Sequence, residues 1–270
     1  MSMWLKVINT GSQYGNCYAL ISGDIRGDGE ILLLDCGCKF KDILRGINYR
    51  IADVTGCLLT HIHGDHAKSY KNLTKNGIEI YSNNETVEHF GAYDPIEYFD
   101  LGIGGMIGKK ERKPFECGSF NVIPFYLPHT TKDKDTGEII PCPNFGYFIQ
   151  HKDMGSLVYM TDFEYPTLSF RSAKINHLLC EVNYCEEFVD KSAANFEHRL
   201  KGHLSFETFK EKVLKQNMTD ALKTVTICHL SDAAADEQMI LNQTKNITGN
   251  DIEVNIAKRS LCVNLNYIPF

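Results

Sequence analysis

A chain of 270 residues, 43% hydrophobic and 23% charged, is long enough to enclose a sizeable core and has an ordinary globular composition. Its net charge of −6 argues against a protein that grips long nucleic acid through a basic track, since such affinity comes from neutralising phosphates. Ten cysteines, none in a CxxC pair, fall below disulfide-scaffold density, and most sit inside apolar runs as small buried hydrophobes. No stretch approaches the ~18–20 apolar residues that span a bilayer, and the first ten residues lack a signal-peptide pattern. A cytoplasmic location with no membrane association is therefore expected. With no linker, repeat or low-complexity tract, residues 1–270 are expected to form one domain.

The predicted elements begin with three strands, Trp4 to Asn9, Cys17 to Ser22 and Glu30 to Leu34, separated by turns rich in Gly, Asp and Asn. Phe40 to Tyr49 reads as a helix. The apolar run Val54 to Leu59 is the next strand, and it leads into Thr60-His61-Ile62-His63-Gly64-Asp65-His66. No core requires four ligand-type side chains in six residues. Alternation along an extended segment sends His61 and His63 to one side, Gly64 lets the chain bend, and Asp65 and His66 open a helix expected to run to Asn76. Imidazole and carboxylate without thiolate suit zinc, manganese or iron at a working site rather than a structural one.

Ile78 to Tyr81 is a short strand, and Asn83 or Asn84 caps a helix reaching Phe90. A loop insertion is expected at about 91–113, with four glycines between Leu101 and Gly108 and a basic cluster from Lys109 to Lys113. The glycines match no phosphate-loop spacing, which leaves a loop near the site or at a subunit contact. Strand Phe120 to Leu127 delivers His129, and Thr131 to Pro141 reads as a charged excursion. Strands Asn144 to Gln150, Ser156 to Met160 and Ile175 to Cys180 follow, the second delivering Asp162 and the third Glu181. After Gly202-His203-Leu204, Ser205 caps a helix whose Phe206, Phe209, Val213 and Leu214 share one face. Thr224 to Cys228 delivers His229. A last helix over Asp232 to Asn242 and two strands, Ile252 to Ile256 and Leu261 to Tyr267, close the chain.

One pattern recurs: an apolar strand ending in a ligand-type residue, at Asp35, His61, His129, Asp162 and His229. In open α/β architectures such strand ends converge on one crevice.

The HxHxDH motif after a hydrophobic strand, with His129, Asp162 and His229 following in order, resembles the metallo-β-lactamase fold. That resemblance implies an α/β protein built as an αββα sandwich with two divalent metal ions, zinc first, manganese or iron otherwise. His61, His63 and His129 would hold one metal, Asp65, His66 and His229 the second, with Asp162 bridging and Asp35 orienting the metal turn. Leu178 to Tyr184 and Gly202-His203-Leu204-Ser205 resemble segments of tRNase Z-like enzymes, in which the equivalent of Glu181 orients that of His203. Asp65, Glu181 and His203 are the expected catalytic residues. Gly11-Ser12, Gly15-Asn16-Cys17-Tyr18, Leu33 to Gly37 and His229-Leu230-Ser231 resemble the YycJ (WalJ)-like branch, grouped with RNase Z-like phosphodiesterases, and phage-encoded anti-Pycsar phosphodiesterases that cleave cyclic mononucleotides. The chain lacks an obvious tRNA-clamping arm and has HLSD where tRNase Z has HFSxRY.

Two activities follow from this resemblance. One is a metal-dependent phosphodiesterase acting on a small phosphodiester such as cAMP, cGMP, cCMP or cUMP, working as a homodimer. The other is a YycJ-like exonuclease, for which nucleic acid would be the substrate.

Overall fold

The computed structural model describes residues 2–90, 114–133, 135–193 and 196–267. The insertion expected at 91–113, with its glycines and basic cluster, lies outside them. By backbone contact the chain divides into two compact units: Met1–Phe125 with Tyr147–Ser156 and Lys258–Phe270, and Tyr126–Gly146 with Leu157–Ala257.

The first unit is organised on a sheet led by β1 (Met3–Asn9), β2 (Cys17–Gly23) and β3 (Gly29–Leu34), antiparallel in succession. β4 (Val54–Leu58) and β5 (Ile80–Tyr81) add to it in parallel, and Cys262–Asn264 pairs antiparallel with the outer edge of β1. The β2–β3 connection is held by Asp24, whose Oδ1 accepts from Arg26 N–H (2.7 Å) and Gly27 N–H (3.1 Å). Alternate residues Cys17, Ala19, Ile21, Ile31, Leu33 and Cys57 supply one apolar face, which packs against Ile43 and Ile47. The helix under that face is Phe40–Gly46, shorter than the expected run to Tyr49. Asn48 (φ 53°) and Tyr49 (φ 60°) leave the right-handed region, and Arg50 turns back to donate to Gly29 O (2.6 Å) and Asp53 (2.7 Å).

The helix expected from Asp65 to Asn76 is two pieces, Gly64–Ala67 and Tyr70–Lys75. The break falls at Ser69, whose N–H donates to Cys36 O (2.9 Å) and whose hydroxyl donates to Cys38 O (2.6 Å). Those bonds replace helical ones and tie the segment to the turn after β3. Asn83 is the cap of Asn84–His89, accepting from Thr86 N–H at 2.9 Å.

β6 (Phe115–Cys117) and β7 (Phe120–Leu127) form a hairpin whose Ser119 donates through N–H (2.8 Å) and hydroxyl to Glu30. Buried His151 lies 3.0 Å from Ser119 Oγ and 3.4 Å from Ser22 Oγ through Nε2, while its Nδ1 accepts from Asp153 N–H (3.1 Å). Burial lowers its pKa, outweighing the raising pull of Asp153 and Glu30; Lys152 and the N-terminus also lower it. The unfolded chain therefore binds the proton more readily, so stability is complete above the unfolded value near ~6.5 and declines as pH falls toward the lower folded value. Denaturant titrations between pH 7 and 5 should show this loss, and His151→Gln should flatten it.

In the second unit, β8 (Thr130–Lys132) and β9 (Ile139–Pro141) pair antiparallel within the expected charged excursion. Its turn is nucleated by Asp133, which accepts from Asp135 N–H (3.0 Å) and Thr136 N–H (2.7 Å); these bonds hold its carboxyl pKa low. β10 (Asn144–His151) brings Asn144 to this unit. β11 (Gly155–Met160), β12 (His177–Glu181), β13 (Thr224–Cys228) and β14 (Glu253–Ile256) are parallel neighbours in that order. β12 and β13 are buried along their whole length, which explains their apolar character. Because the strands are parallel and in register (Met160 beside Cys180, Glu181 beside Cys228), Asp162, Glu181 and His229 emerge at one carboxyl edge.

Ser205 caps the following helix by accepting from Thr208 N–H (3.1 Å), and Phe206, Phe209, Val213 and Leu214 are fully buried. The turn Phe209–Leu214 is π-helical. The last helix is Glu237–Thr248 rather than Asp232 to Asn242, because Asp236 is the residue that accepts from Met239 N–H (2.9 Å). No helix among the described residues is long and apolar enough to cross a membrane.

Candidate metal centre

In the first unit, β4 runs into the histidine turn, and the turn is fixed from beneath by Asp35. This fully buried aspartate takes a left-handed conformation (φ 56°) at the end of β3. Its Oδ1 accepts from Thr60 N–H (2.8 Å), and its Oδ2 accepts from Thr60 Oγ1–H (3.2 Å) and His66 Nδ1–H (2.7 Å). A carboxylate can only accept, so His66 carries its proton on Nδ1 and its lone pair on Nε2. The His61 and His63 rings lie edge to face with centroids 4.7 Å apart, and His61 and His66 are 4.4 Å apart. Asp65 Oδ2 stands 3.6 Å from His66 Nε2. The His61 ring thus neighbours both His63 and His66, and Asp65 neighbours His66.

Three backbone turns stack in direct contact under this loop. A Cβ on Gly37 would lie 1.7 Å from Asp65 O, and one on Gly15 (φ 85°) would lie 2.0 Å from Gly37 O. Only glycine allows either approach. Asn16, beside Gly15, donates its N–H to Asp65 O (2.6 Å), while its side-chain nitrogen lies 3.0 Å from His66 Nε2.

In the second unit, Asp162, Glu181, His203 and His229 bring one donor atom each within 4.8 Å of one another. Asp162 is left-handed (φ 53°), and Asn144 holds it there by donating to the carbonyls of Thr161 (2.9 Å) and Asp162 (2.6 Å). Thr161 Oγ1–H donates to Asp162 Oδ1 at 2.6 Å. His229, also left-handed (φ 54°), places Nε2 3.5 Å from Asp162 Oδ1 and Nδ1 3.3 Å from Glu181 Oε1. Asn183 secures it by donating to His229 O (3.2 Å).

Glu181 is fully buried and accepts from His203 Nδ1–H at 2.6 Å on Oε1 and from Phe163 N–H at 3.2 Å on Oε2, while His229 Nδ1 stands 3.3 Å from Oε1 and 3.2 Å from the Asn183 amide nitrogen. The His203 side chain keeps 14% of its surface exposed, against none for Glu181. His129 donates Nδ1–H to Gly202 O (2.8 Å), leaving its lone pair on Nε2, and its ring centroid is 5.9 Å from that of His203.

The donor chemistry suits divalent metal. His66 and His129 have Nδ1–H fixed by protein acceptors, the second-sphere arrangement that orients metal-ligating imidazoles. Asp35→Asn, which turns one of the two accepting oxygens into a donor facing Thr60 or His66, should weaken metal at the Asp65/His66 pair by about 10–100-fold, measurable by chelator competition. Sequence reasoning assigned no role to Asn16, Thr60, Asn144 or Thr161. Asn16, Thr60 and Asn144 act on groups distant in sequence, and Thr161 on the carboxylate of the next residue.

Fold and ligand pattern together define a metallo-β-lactamase-fold protein. Residues 9–77 match the family model described as "Anti-Pycsar protein Apyc1". A curated protein of that name from Paenibacillus xerothermodurans is 33% identical over 66 residues, 24% of this chain; the match spans about a quarter (26%) of that relative's length. Among solved structures, the metallo-β-lactamase fold protein YhfI from Bacillus subtilis superposes with TM-score 0.69 at 18% identity, covering 98% of this chain and 100% of its own. Unliganded yeast PDE1 gives 0.67 at 13% identity, covering 98% and 100%. The short form of human tRNase Z gives 0.58 at 16% identity, covering 97% and 99%. At these identities the structural likenesses establish the fold.

Proposed function

We propose that this protein is a dinuclear metal-dependent phosphodiesterase that hydrolyses a small phosphodiester, with cyclic mononucleotides as substrate. His61, His63 and His129 would hold one cation and Asp65, His66 and His229 the other, with Asp162 shared. Two bound divalent cations would supply a water nucleophile acidified toward neutral pH and a positive clamp on the phosphoryl oxygens.

The observation that carries the phosphodiester reading is a part-exposed His203 seated on a fully buried Glu181 at 2.6 Å. When the P–O bond breaks, the departing alkoxide needs a proton. Glu181 accepts the Nδ1–H of His203 and so fixes the ring with Nε2 turned away from the carboxylate, the edge that would hand a proton to the leaving oxygen. The buried carboxylate also keeps the imidazole from rotating away. The anti-Pycsar family match over residues 9–77 favours cyclic nucleotides over polymeric substrates, as does the net charge of −6.

The test is incubation of zinc- or manganese-loaded protein with cAMP, cGMP, cCMP and cUMP, following linear nucleoside monophosphate by chromatography. Turnover of at least one is expected. Absence of turnover of all four with either metal would overturn the substrate assignment.

A further inference from the structure

Asn16 is a fully buried side chain on the turn beneath the histidine motif, and no metal-binding role has been attached to it. Its Oδ1 accepts from Gly11 N–H (2.8 Å) and Tyr18 O–H (3.2 Å), which fixes the amide so that its nitrogen faces the metal turn. That nitrogen lies 3.0 Å from His66 Nε2 and 3.3 Å from Asp65 O. Since Asp35 holds the His66 proton on Nδ1, the contact at Nε2 is an amide N–H donated to the ring's lone pair.

From this geometry we infer that Asn16 competes with the cation for the His66 lone pair and makes the Asp65/His66 metal the more weakly held and the later to load. Two effects act in the same direction. A cation approaching Nε2 must displace the amide N–H, and it then faces the positive end of that amide dipole. The displaced N–H is not stranded, because the Asp65 carbonyl already stands within reach as a substitute acceptor. Metal entry therefore costs roughly one neutral hydrogen bond and not a buried unsatisfied donor. His61 and His63 have no bond to Asn16 among those described, so their metal should not respond to it. This inference rests on the two-metal reading above.

The experiment uses the full chain loaded with zinc, with a graded series of chelators and metal analysis of the retained protein. Asn16→Asp keeps the oxygen that serves Gly11 and Tyr18 and replaces only the donor; Asn16→Ala removes both. Either variant should tighten the second zinc, by roughly 3–10-fold for the alanine and at least as much for the aspartate, leaving the first unchanged. Cobalt-loaded protein should show its second set of visible bands at correspondingly lower cobalt concentration. A merely structural Asn16 predicts the opposite sign, because a loosened turn weakens metal. Weakening of the second zinc, parallel change in both, or no change overturns the inference. A wild-type chain that never retains a second ion overturns the two-metal reading itself, and this inference with it.

Discussion

Glu181→Gln should lower kcat by about 10²–10⁴-fold at saturating metal and substrate, the span associated with losing a positioned proton donor. The carboxylate accepts from His203 Nδ1–H on Oε1 and from the Phe163 N–H on Oε2, and His229 Nδ1 lies 3.3 Å from Oε1. Glutamine offers one accepting oxygen and turns an NH2 group toward the other donor, so one of the two bonds becomes a repulsion. Because His229 Nδ1 lies 3.3 Å from the same carboxylate, metal at its position should also loosen by about 10–100-fold. The two effects separate cleanly. Excess zinc or manganese should restore metal content without restoring kcat. If added metal returned kcat to the native level, Glu181 would be acting only through His229, and the proton-transfer role of His203 would fall.

Gly37→Ala should be among the most damaging single methyl additions in the first unit. The new Cβ would meet Asp65 O at 1.7 Å, Asp65 C at 2.1 Å and His66 N at 2.6 Å, all backbone atoms that no rotamer change can move aside. Overpacking of this kind destabilises by about 1–3 kcal/mol, and more where backbone is the obstacle. Each kcal/mol corresponds to roughly 2–4 °C in Tm for a chain of this size class. The displacement falls on the peptide joining Asp65 and His66, so metal held by that pair should be lost while metal at His61 and His63 persists. Gly64→Ala is the matched control, because a Cβ there meets nothing within 4 Å. It lies in the same loop, between His63 and Asp65, and should leave Tm and metal content within error. Calorimetry and metal analysis on the pair decide the matter; equal damage by both substitutions would rule out the stacking account.

The parts of this molecule that were readable from sequence share a physical cause. Apolar strands that end in His or Asp are a local signal, so Asp35, His61, Asp162 and His229 could be placed at strand ends before any fold was known. The Ser205 cap and the buried face Phe206, Phe209, Val213 and Leu214 are also local, set within one turn and one helical period. Helix ends were less legible because distant groups decide them. Ser69 breaks its helix to reach the carbonyls of Cys36 and Cys38, and Arg50 pulls the chain away after Gly46 toward Gly29. The supporting residues were invisible for the same reason. Asn144 matters through carbonyls 17 and 18 residues away, and Asn16 through a histidine 50 residues away. Gly37 was readable as a turn, but its contact with Asp65 was not.

Three strand ends, at Asp35, Asp162 and His229, adopt left-handed backbone with φ between 53° and 56°. Asn, Asp and His are enriched in that conformation among residues with a side chain, whereas β-branched residues there are outliers. The backbone therefore restricts which chemistry these positions can offer before any cation is chosen. At position 229 the substitutions compatible with the turn are glycine, asparagine and aspartate, and of these only aspartate keeps a strong ligand. Drift at that residue would accordingly exchange imidazole for carboxylate, moving the centre toward oxygen-preferring ions such as manganese or magnesium. Metal preference in this architecture is in that sense inherited partly from a torsion angle.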